Sequence, residues 1–260
     1  MRFELELNKA NRLKLAHSFR QNKRVDYSIQ CVIEGQMGKA FVDQIDAPIA
    51  YAINIGPFWY FAGDALSIGG HQLMETLPAF NLLMPSPPDW LDVAQVIFGN
   101  RLLPFTRYNF SADELSQDHL ESIFKSSPYK ERILPLKAEL AAQLAGQADS
   151  YLDISDFDSI QDFIRRGISF AAMDGECIMG AAWSSLVCST GIEVSIYIEE
   201  AYRQRGVATT LASRLLLECL RNQLRPNWDA ANPESYRLAR KLGFRFTGTY
   251  DAYYYTPNQG

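Results

Sequence analysis

Long apolar runs are missing from this chain of 260 residues: no stretch approaches the ~20 apolar residues that cross a bilayer, and the opening Met1-Arg2-Phe3-Glu4-Leu5-Glu6 is no signal peptide. A cytoplasmic protein with no membrane partner is the expectation. A basic surplus is missing too, since 25 Lys and Arg face 30 Asp and Glu for a net charge of −5. General nucleic-acid binding leaves a basic footprint and is therefore not expected; a cationic small substrate suits the balance better. Cys31, Cys177, Cys188 and Cys219 form no Cys-x-x-Cys pair, and His17, His71 and His119 form no ligand-spaced cluster. Neither a disulfide framework nor a bound metal is expected. No internal repeat or low-complexity tract is visible along the sequence.

The length suits two modest domains, residues 1–127 and 128–260, with Ser126-Ser127-Pro128 as the boundary. In the first, 27–33, 39–42, 49–55 and 58–61 read as strands of a small antiparallel sheet, the last two separated by Gly56-Pro57. Pro85-Ser86-Pro87-Pro88 breaks the pattern; helices are predicted over 89–98 and over 112–124, the latter with Ser111 and Glu114 as a capping box. In the second, 129–144 and 159–166 read as helices, and 168–173, 177–187 and 192–198 as strands. A helix over 207–222, a buried strand over 227–231, a helix over 234–242 ended by Gly243 and final strands over 244–255 follow. The implied class is α/β (α+β), a mixed central sheet flanked by helices and preceded by a smaller α+β amino-terminal domain with a substrate-side or interaction role.

The most informative stretch is Arg203-Gln204-Arg205-Gly206-Val207-Ala208, where an alternating strand gives way to a helix rich in Leu and Ala. Gly206 permits turn dihedrals that other residues resist and lets the backbone approach a ligand closely. The amides of Val207, Ala208 and Thr209 lack partners in the first helical turn. The aligned peptide dipoles add roughly half a positive charge there, which favours a pyrophosphate. Arg203 and Arg205 add cationic donors, although a simple strand-to-helix turn uses the same residues.

These residues resemble the GCN5-related N-acetyltransferases, whose acetyl-CoA signature is Gln/Arg-x-x-Gly-x-Gly/Ala: Arg203-x-x-Gly206-x-Ala208 matches it, and Asn232 precedes Lys241-Leu242-Gly243-Phe244 at similar spacing. The run Pro226-x-Trp228-Asp229-x-x-Asn232-x-x-Ser235 looks like the branch that includes zwittermicin-resistance-type acetyltransferases. Members of that branch carry an extra amino-terminal domain, and Pro48 to Asp64, ending Phe61-Ala62-Gly63-Asp64, is similar to theirs. The resemblance implies the GNAT fold, acetyl-CoA as co-substrate and a small-molecule amine as acceptor. It also implies that Arg203, Gln204, Arg205, Gly206, Val207, Ala208 and Thr209 hold the pyrophosphate, and that Ile196, Tyr197 and Ile198 line the pantetheine, where a backbone N–H polarises the thioester carbonyl.

An amine reaches such a site protonated, so a base must take its proton. Ile192, Val194, Ile196 and Ile198 alternate with Glu193, Ser195 and Tyr197, which puts Glu193 on a polar strand face. Glu193 is the leading candidate base, with a solvated or ion-paired strand glutamate as the equal alternative; Asp229 is the second candidate for the base or for holding the substrate ammonium, or else fixes the local backbone by a hydrogen bond. Many relatives protonate the departing thiolate with a tyrosine where this chain has Ala239, which leaves Ser235 as the replacement or as a helix-start residue. Asn232 reads as a pantetheine ligand or as a cap before Pro233. Phe58-Trp59-Tyr60-Phe61 reads as the core of a small sheet rather than the floor of a pocket, and Cys219 as a buried filler. The expected function is acetyl transfer to a primary amine in a ternary complex. A catalytically silent acyl-CoA-binding module with a protein partner, and a protein N-acetyltransferase, remain open beside it.

Overall fold

The computed structural model describes residues 2–146 and 151–257. It divides into two compact units, Met1–Arg107 with Thr249–Gly260, and Tyr108–Gly248, so residues 108–127 group with the second unit.

The first unit runs through β1 (Phe3–Glu4), α1 (Lys9–Ser18), α2 (Ser28–Glu34), β2 (Lys39–Val42), β3 (Ala50–Ile55), β4 (Phe58–Gly63), α3 (Ile68–Met74), β5 (Leu82–Leu83) and α4 (Pro88–Phe98) into β6 (Leu102–Ser111). β1 to β4 are antiparallel neighbours in chain order, and β5 lies parallel to β4. Alternation sorts β3 and β4 onto two cores. Ala50, Ala52, Trp59 and Phe61 meet Leu73, Met74 and Trp90, while Tyr51, Ile53, Tyr60 and Ala62 meet Leu15, Phe19, Ile29 and Val32. A sheet covered on both faces explains the near-continuous apolar run of β3 and β4. The rings of Phe41, Trp59, Phe61 and Trp90 follow one another at centroid spacings of 5.5, 6.2 and 5.1 Å, so the aromatic cluster of β4 is core.

In the second unit the end of β6 leads to α5 (Gln117–Ser126), β7 (Ile133–Pro135), α6 (Ala138–Ala145), α7 (Ile160–Arg166), β8 (Ser169–Asp174), β9 (Cys177–Val187) and β10 (Gly191–Ile198). Then come α8 (Val207–Arg221), β11 (Arg225–Asn227), β12 (Asp229–Ala230), α9 (Pro233–Leu242) and the start of β13 (Arg245–Tyr255). The sheet is ordered β11-β10-β9-β8-β7, antiparallel except for the β10–β11 pair. α8 buries Val207, Leu211, Leu215 and Leu216, and its Arg214 guanidinium lies 4.4 Å from the centroid of Phe170. Phe170, Ala182 and Ile196 are cross-strand neighbours, so α8 covers their face; Trp183, Ser195 and Tyr197 take the opposite one.

Apart from α5 ahead of β7 and the two-residue β12 after β11, both units trace one path: a strand, two helices, three antiparallel strands, a helix, a strand parallel to the third of them, a helix and a closing strand. The sequence hides this repeat, because what recurs is the order and pairing of elements. Each closing strand begins in one unit and ends in the other. Tyr108 and Asn109 of β6 pair with Ala230 and Asp229 of β12, and Tyr253 of β13 pairs with Leu83 of β5.

Several local expectations are corrected. The strand expected over 27–33 is instead the helix α2, Ser28–Glu34: Asp26 Oδ1 accepts from the Ser28 amide at 2.8 Å, and Gly35, at φ 68°, ends the helix. A short apolar run fits either period, and tertiary packing decides. The capping box of Ser111 with Glu114 does not form. Ser111 ends β6, and the helix starts later, where Ser116 Oγ accepts from the His119 amide at 3.3 Å. Residues 129–144 split into β7 and α6, since Pro135 has no N–H to give a continuous helix. The helices α1 and α3 and the strand β6 are additional to the sequence reading.

Candidate active site

Parallel pairing of β10 with β11 ends at Glu193 opposite Asn227, and beyond that pair the strands part. A bulge contributes to the opening: the β9–β10 register slips between Glu193 and Val194, with Ser185 the extra residue on β9. The Arg225 amide donates to Thr190 O, and the Glu199 amide donates to Met179 O on β9. Along β10, therefore, even-numbered residues turn their backbone groups to the gap and odd-numbered ones to β9. The amides of Val194, Ile196 and Ile198 face the gap, whereas that of Tyr197 faces β9. Val194, absent from the sequence-derived set, joins by this parity, which only the pairing reveals.

Glu193 is 7% exposed, and its Oε2 accepts from Asn227 Nδ2 at 2.8 Å. The next residue, Trp228, donates Nε1–H to Ser235 Oγ at 3.1 Å, and half-buried Asp229 follows on β12. Asn232 caps α9, its Oδ1 accepting from the Ser235 amide at 2.8 Å, with Pro233 as the first helical residue. The exit of β11 thus strings Glu193, Asp229, Asn232 and Ser235 around one stretch of chain. Sequence reasoning missed Asn227, whose role comes from its register opposite Glu193.

At the other end of β10, Gly206 adopts φ 91° and Gln204 φ 59°. No side chain caps α8, and a Cβ placed on Gly206 would meet nothing within 4 Å. The first helical bond runs from the Thr210 amide to Gly206 O at 3.1 Å. The amides of Val207, Ala208 and Thr209 precede it, in the part of a helix that its own carbonyls do not serve. Arg203 donates from Nε to Ile198 O at 3.0 Å, and the Arg205 guanidinium lies 5.8 Å from the Tyr202 ring. Lys241 Nζ stands 3.5 Å from Thr209 Oγ1 and adds a cation that the sequence reading did not assign. Its place in the Lys-Leu-Gly-Phe run was the available signal.

A family model for GNAT acetyltransferase matches residues 17–253. The chain belongs to the GNAT acetyltransferase family. It is 33% identical over 100 residues to the uncharacterized N-acetyltransferase YdfB of Bacillus subtilis (strain 168), a match spanning 38% of this chain and 38% of that protein. Its fold is that of a GCN5-related N-acetyltransferase-like protein from Streptococcus suis 89/1591, with TM-score 0.83 and 25% identity over 96% of this chain and 100% of that one. A tandem GNAT protein from the clavulanic acid biosynthesis pathway shares the fold at TM-score 0.59 and 12% identity, covering 98% of this chain and 96% of that one.

Ala239, where the sequence resemblance puts the tyrosine of many relatives, is fully buried on α9. Tyr236 does not stand in for it: its ring sits 5.3, 5.4 and 5.2 Å from those of Tyr108, Phe110 and Phe246. Among the described residues no group of three or more His, Cys, Asp or Glu could hold a metal ion, and no helix is long and apolar enough to cross a membrane.

Proposed function

We propose that the second unit is an acetyl-CoA-dependent N-acetyltransferase that acetylates a primary amine of a small molecule with both reactants bound together. One observation carries the reading: the strand that bears buried Glu193 at a parting of two strands runs into an uncapped helix start with glycine at positive φ. Acetyl-CoA fits these residues. The amides of 207–209 and the open space over Gly206 suit its pyrophosphate, Arg203, Arg205 and Lys241 add positive charge, and the gap-facing amides of Val194, Ile196 and Ile198 suit pantetheine and the thioester oxygen.

Bound acetyl-CoA supplies an activated acetyl group. Glu193 takes the proton that the amine gives up, directly or through water, and the Asn227 amide fixes the carboxylate's orientation. Asp229 is the second carboxylate within the same stretch and attracts the incoming ammonium. Ser235 accepts from Trp228, which leaves its own O–H available to the departing sulfur. A serine hydroxyl is a much weaker acid than a thiol, so Ser235 stabilises the thiolate by a hydrogen bond and does not protonate it.

The test is release of CoA thiol from acetyl-CoA across a panel of primary amines. Glu193→Gln should lower kcat/KM by ~10²–10⁴-fold without weakening acetyl-CoA binding. Tight acetyl-CoA binding with no turnover on any amine would instead favour the silent acyl-CoA-binding module, the reading for which Ala239 speaks.

A further inference from the structure

Beyond Glu193, the sheet face turned away from α8 carries aromatic side chains that the transfer chemistry does not use. Trp183 lies directly across from Ser195, and Tyr197 is the next residue on that face of β10. Tyr151 lays its ring on Tyr197 at a centroid distance of 3.7 Å and an interplanar angle of 11°, and its ring lies 6.2 Å from that of Trp183. The arrangement is a wall of three rings along the strand whose same face bears Glu193.

Two polar atoms in this wall have no hydrogen-bond partner: Trp183 Nε1 and the Tyr151 hydroxyl, both buried. Trp183 as a whole is 5% exposed. An indole N–H can only donate. The phenol of Tyr151 is pushed up to about 12 by burial first and by the Glu199 carboxylate second, so it too keeps its proton at neutral pH. Leaving such groups unmet carries a desolvation cost that an incoming oxygen acceptor removes. A carboxylate would face Glu193 on the same face and Glu199 beside Tyr151, so the oxygen that suits the site is neutral.

We infer that Trp183 and Tyr151 are specificity-determining residues for the acceptor, and that the acceptor is a cationic primary amine carrying a neutral carbonyl or hydroxyl oxygen within reach of its nitrogen. The aliphatic or flat body of such a molecule lies along the rings of Tyr151 and Tyr197, its oxygen takes the two unmet donors, and its ammonium points to Glu193. The inference rests on the acetyl-transfer reading for the reaction, but binding of the acceptor is measurable without it.

The experiment uses matched pairs of amines, each amino amide or amino alcohol beside its deoxy counterpart, titrated calorimetrically into the full chain loaded with CoA, with CoA-thiol release measured separately. Oxygen-bearing members should bind more tightly than their counterparts. Tyr151→Phe, which keeps the ring and deletes one donor, should weaken only the oxygen-bearing members by about three- to tenfold, and Trp183→Phe, which deletes the other donor with a smaller ring, should weaken the oxygen-bearing members by that factor more than their counterparts. KM for those amines should rise by the same factor, with kcat and KM for acetyl-CoA unchanged. Equal binding within the pairs, discrimination that survives both variants, or no binding of any oxygen-bearing amine would overturn the inference. Intact discrimination without thiol release would retire acetyl transfer and leave the acceptor site standing.

Discussion

The turn from β4 into α3 and the turn from β10 into α8 stand at the same step of the repeated path, and they are finished in opposite ways. In the first, Asp64 Oδ1 accepts from the amides of Leu66 and Ser67 at 3.0 and 3.1 Å, and Ser67 Oγ accepts from Gly70 at 2.9 Å. That helix start is capped by a side chain and preceded by a negative charge. In the second, glycine takes the cap position, no side chain intrudes, and arginines flank the opening. The strand gaps differ likewise. The Leu82 amide bonds Pro57 O as the Arg225 amide bonds Thr190 O, so Tyr60 matches Glu193 and Phe61 matches Val194. The Phe61 amide is taken by Ser86 Oγ and its carbonyl by Asn22 Nδ2, each at 3.0 Å. One path thus serves as a plugged scaffold in one unit and as an open cradle in the other, and a handful of side chains decides which.

The strongest way to break this comparison is to move the plug. Gly206→Asp places at α8 the charge that Asp64 places at α3, and it should weaken acetyl-CoA binding on the order of 30- to 100-fold. Isosteric Gly206→Asn bears the same backbone strain without the charge and should cost only a few-fold by roughly the same reasoning. Calorimetry reads both, and in the wild type it should return one acetyl-CoA per chain; two would show that the first unit is not plugged.

Acid should separate the units next. Asp162 in the first turn of α7 is 5% exposed, and Arg166, then Arg165, hold its carboxyl down at about 2. Its folded pKa lies below the unfolded value, so its stabilisation is present above the ordinary carboxylate range and is lost as pH falls toward 2. The full shift corresponds to about 2.5 kcal/mol, less after solvent screening of the exposed Arg165. Asp26, just before α2 in the first unit, is shifted the other way: burial raises it, against the bonds it accepts. Its stabilisation is present at low pH and is lost as pH rises through the raised value. Amide hydrogen exchange between pH 5 and 2 should therefore show the second unit loosening relative to the first, and Asp162→Asn should remove most of that trend.

Smaller effects refine the picture. Ser67→Ala removes the α3 cap and should lower stability by about 1 kcal/mol in denaturant melts while leaving acetyl-CoA affinity unchanged. Lys241→Ala should weaken acetyl-CoA binding by only about two- to threefold, and less at high salt, as befits an exposed charge.

What the sequence made legible was local. The alternation of 192–198, the glycine turn at 206 and the apolar stripe of α8 all lie within a few residues of one another, so their periodicity and dihedral demands show in the residues themselves. What it hid depends on register between distant segments. Whether Val194 or Tyr197 turns its amide to the gap is set by pairing with β9 and β11, the Asn227–Glu193 bond is a product of the same pairing, and Trp183 meets Ser195 only across a strand pair. The repeat stayed hidden for a related reason: at matched positions the two units carry Tyr60 and Glu193, residues with nothing in common but their place. The strand expected at 27–33 failed because Asp26 and Gly35, at its borders, supply a helix start and stop that outweigh a β-compatible run.

The crossing paths of β6 and β13 govern how this protein can be dismantled. The first unit ends only with the segment from Thr249, and the second begins in mid-strand at Tyr108, so no single peptide bond divides them. Proteolytic nicking near 107 would leave the first fragment without the segment from Thr249, which stays on the second. A gene segment ending at 107 would specify a first unit lacking its last strand segment. The plugged half is built from both ends of the chain and cannot be inherited as one cassette, whereas the open half is one uninterrupted stretch, 108–248, inserted within it.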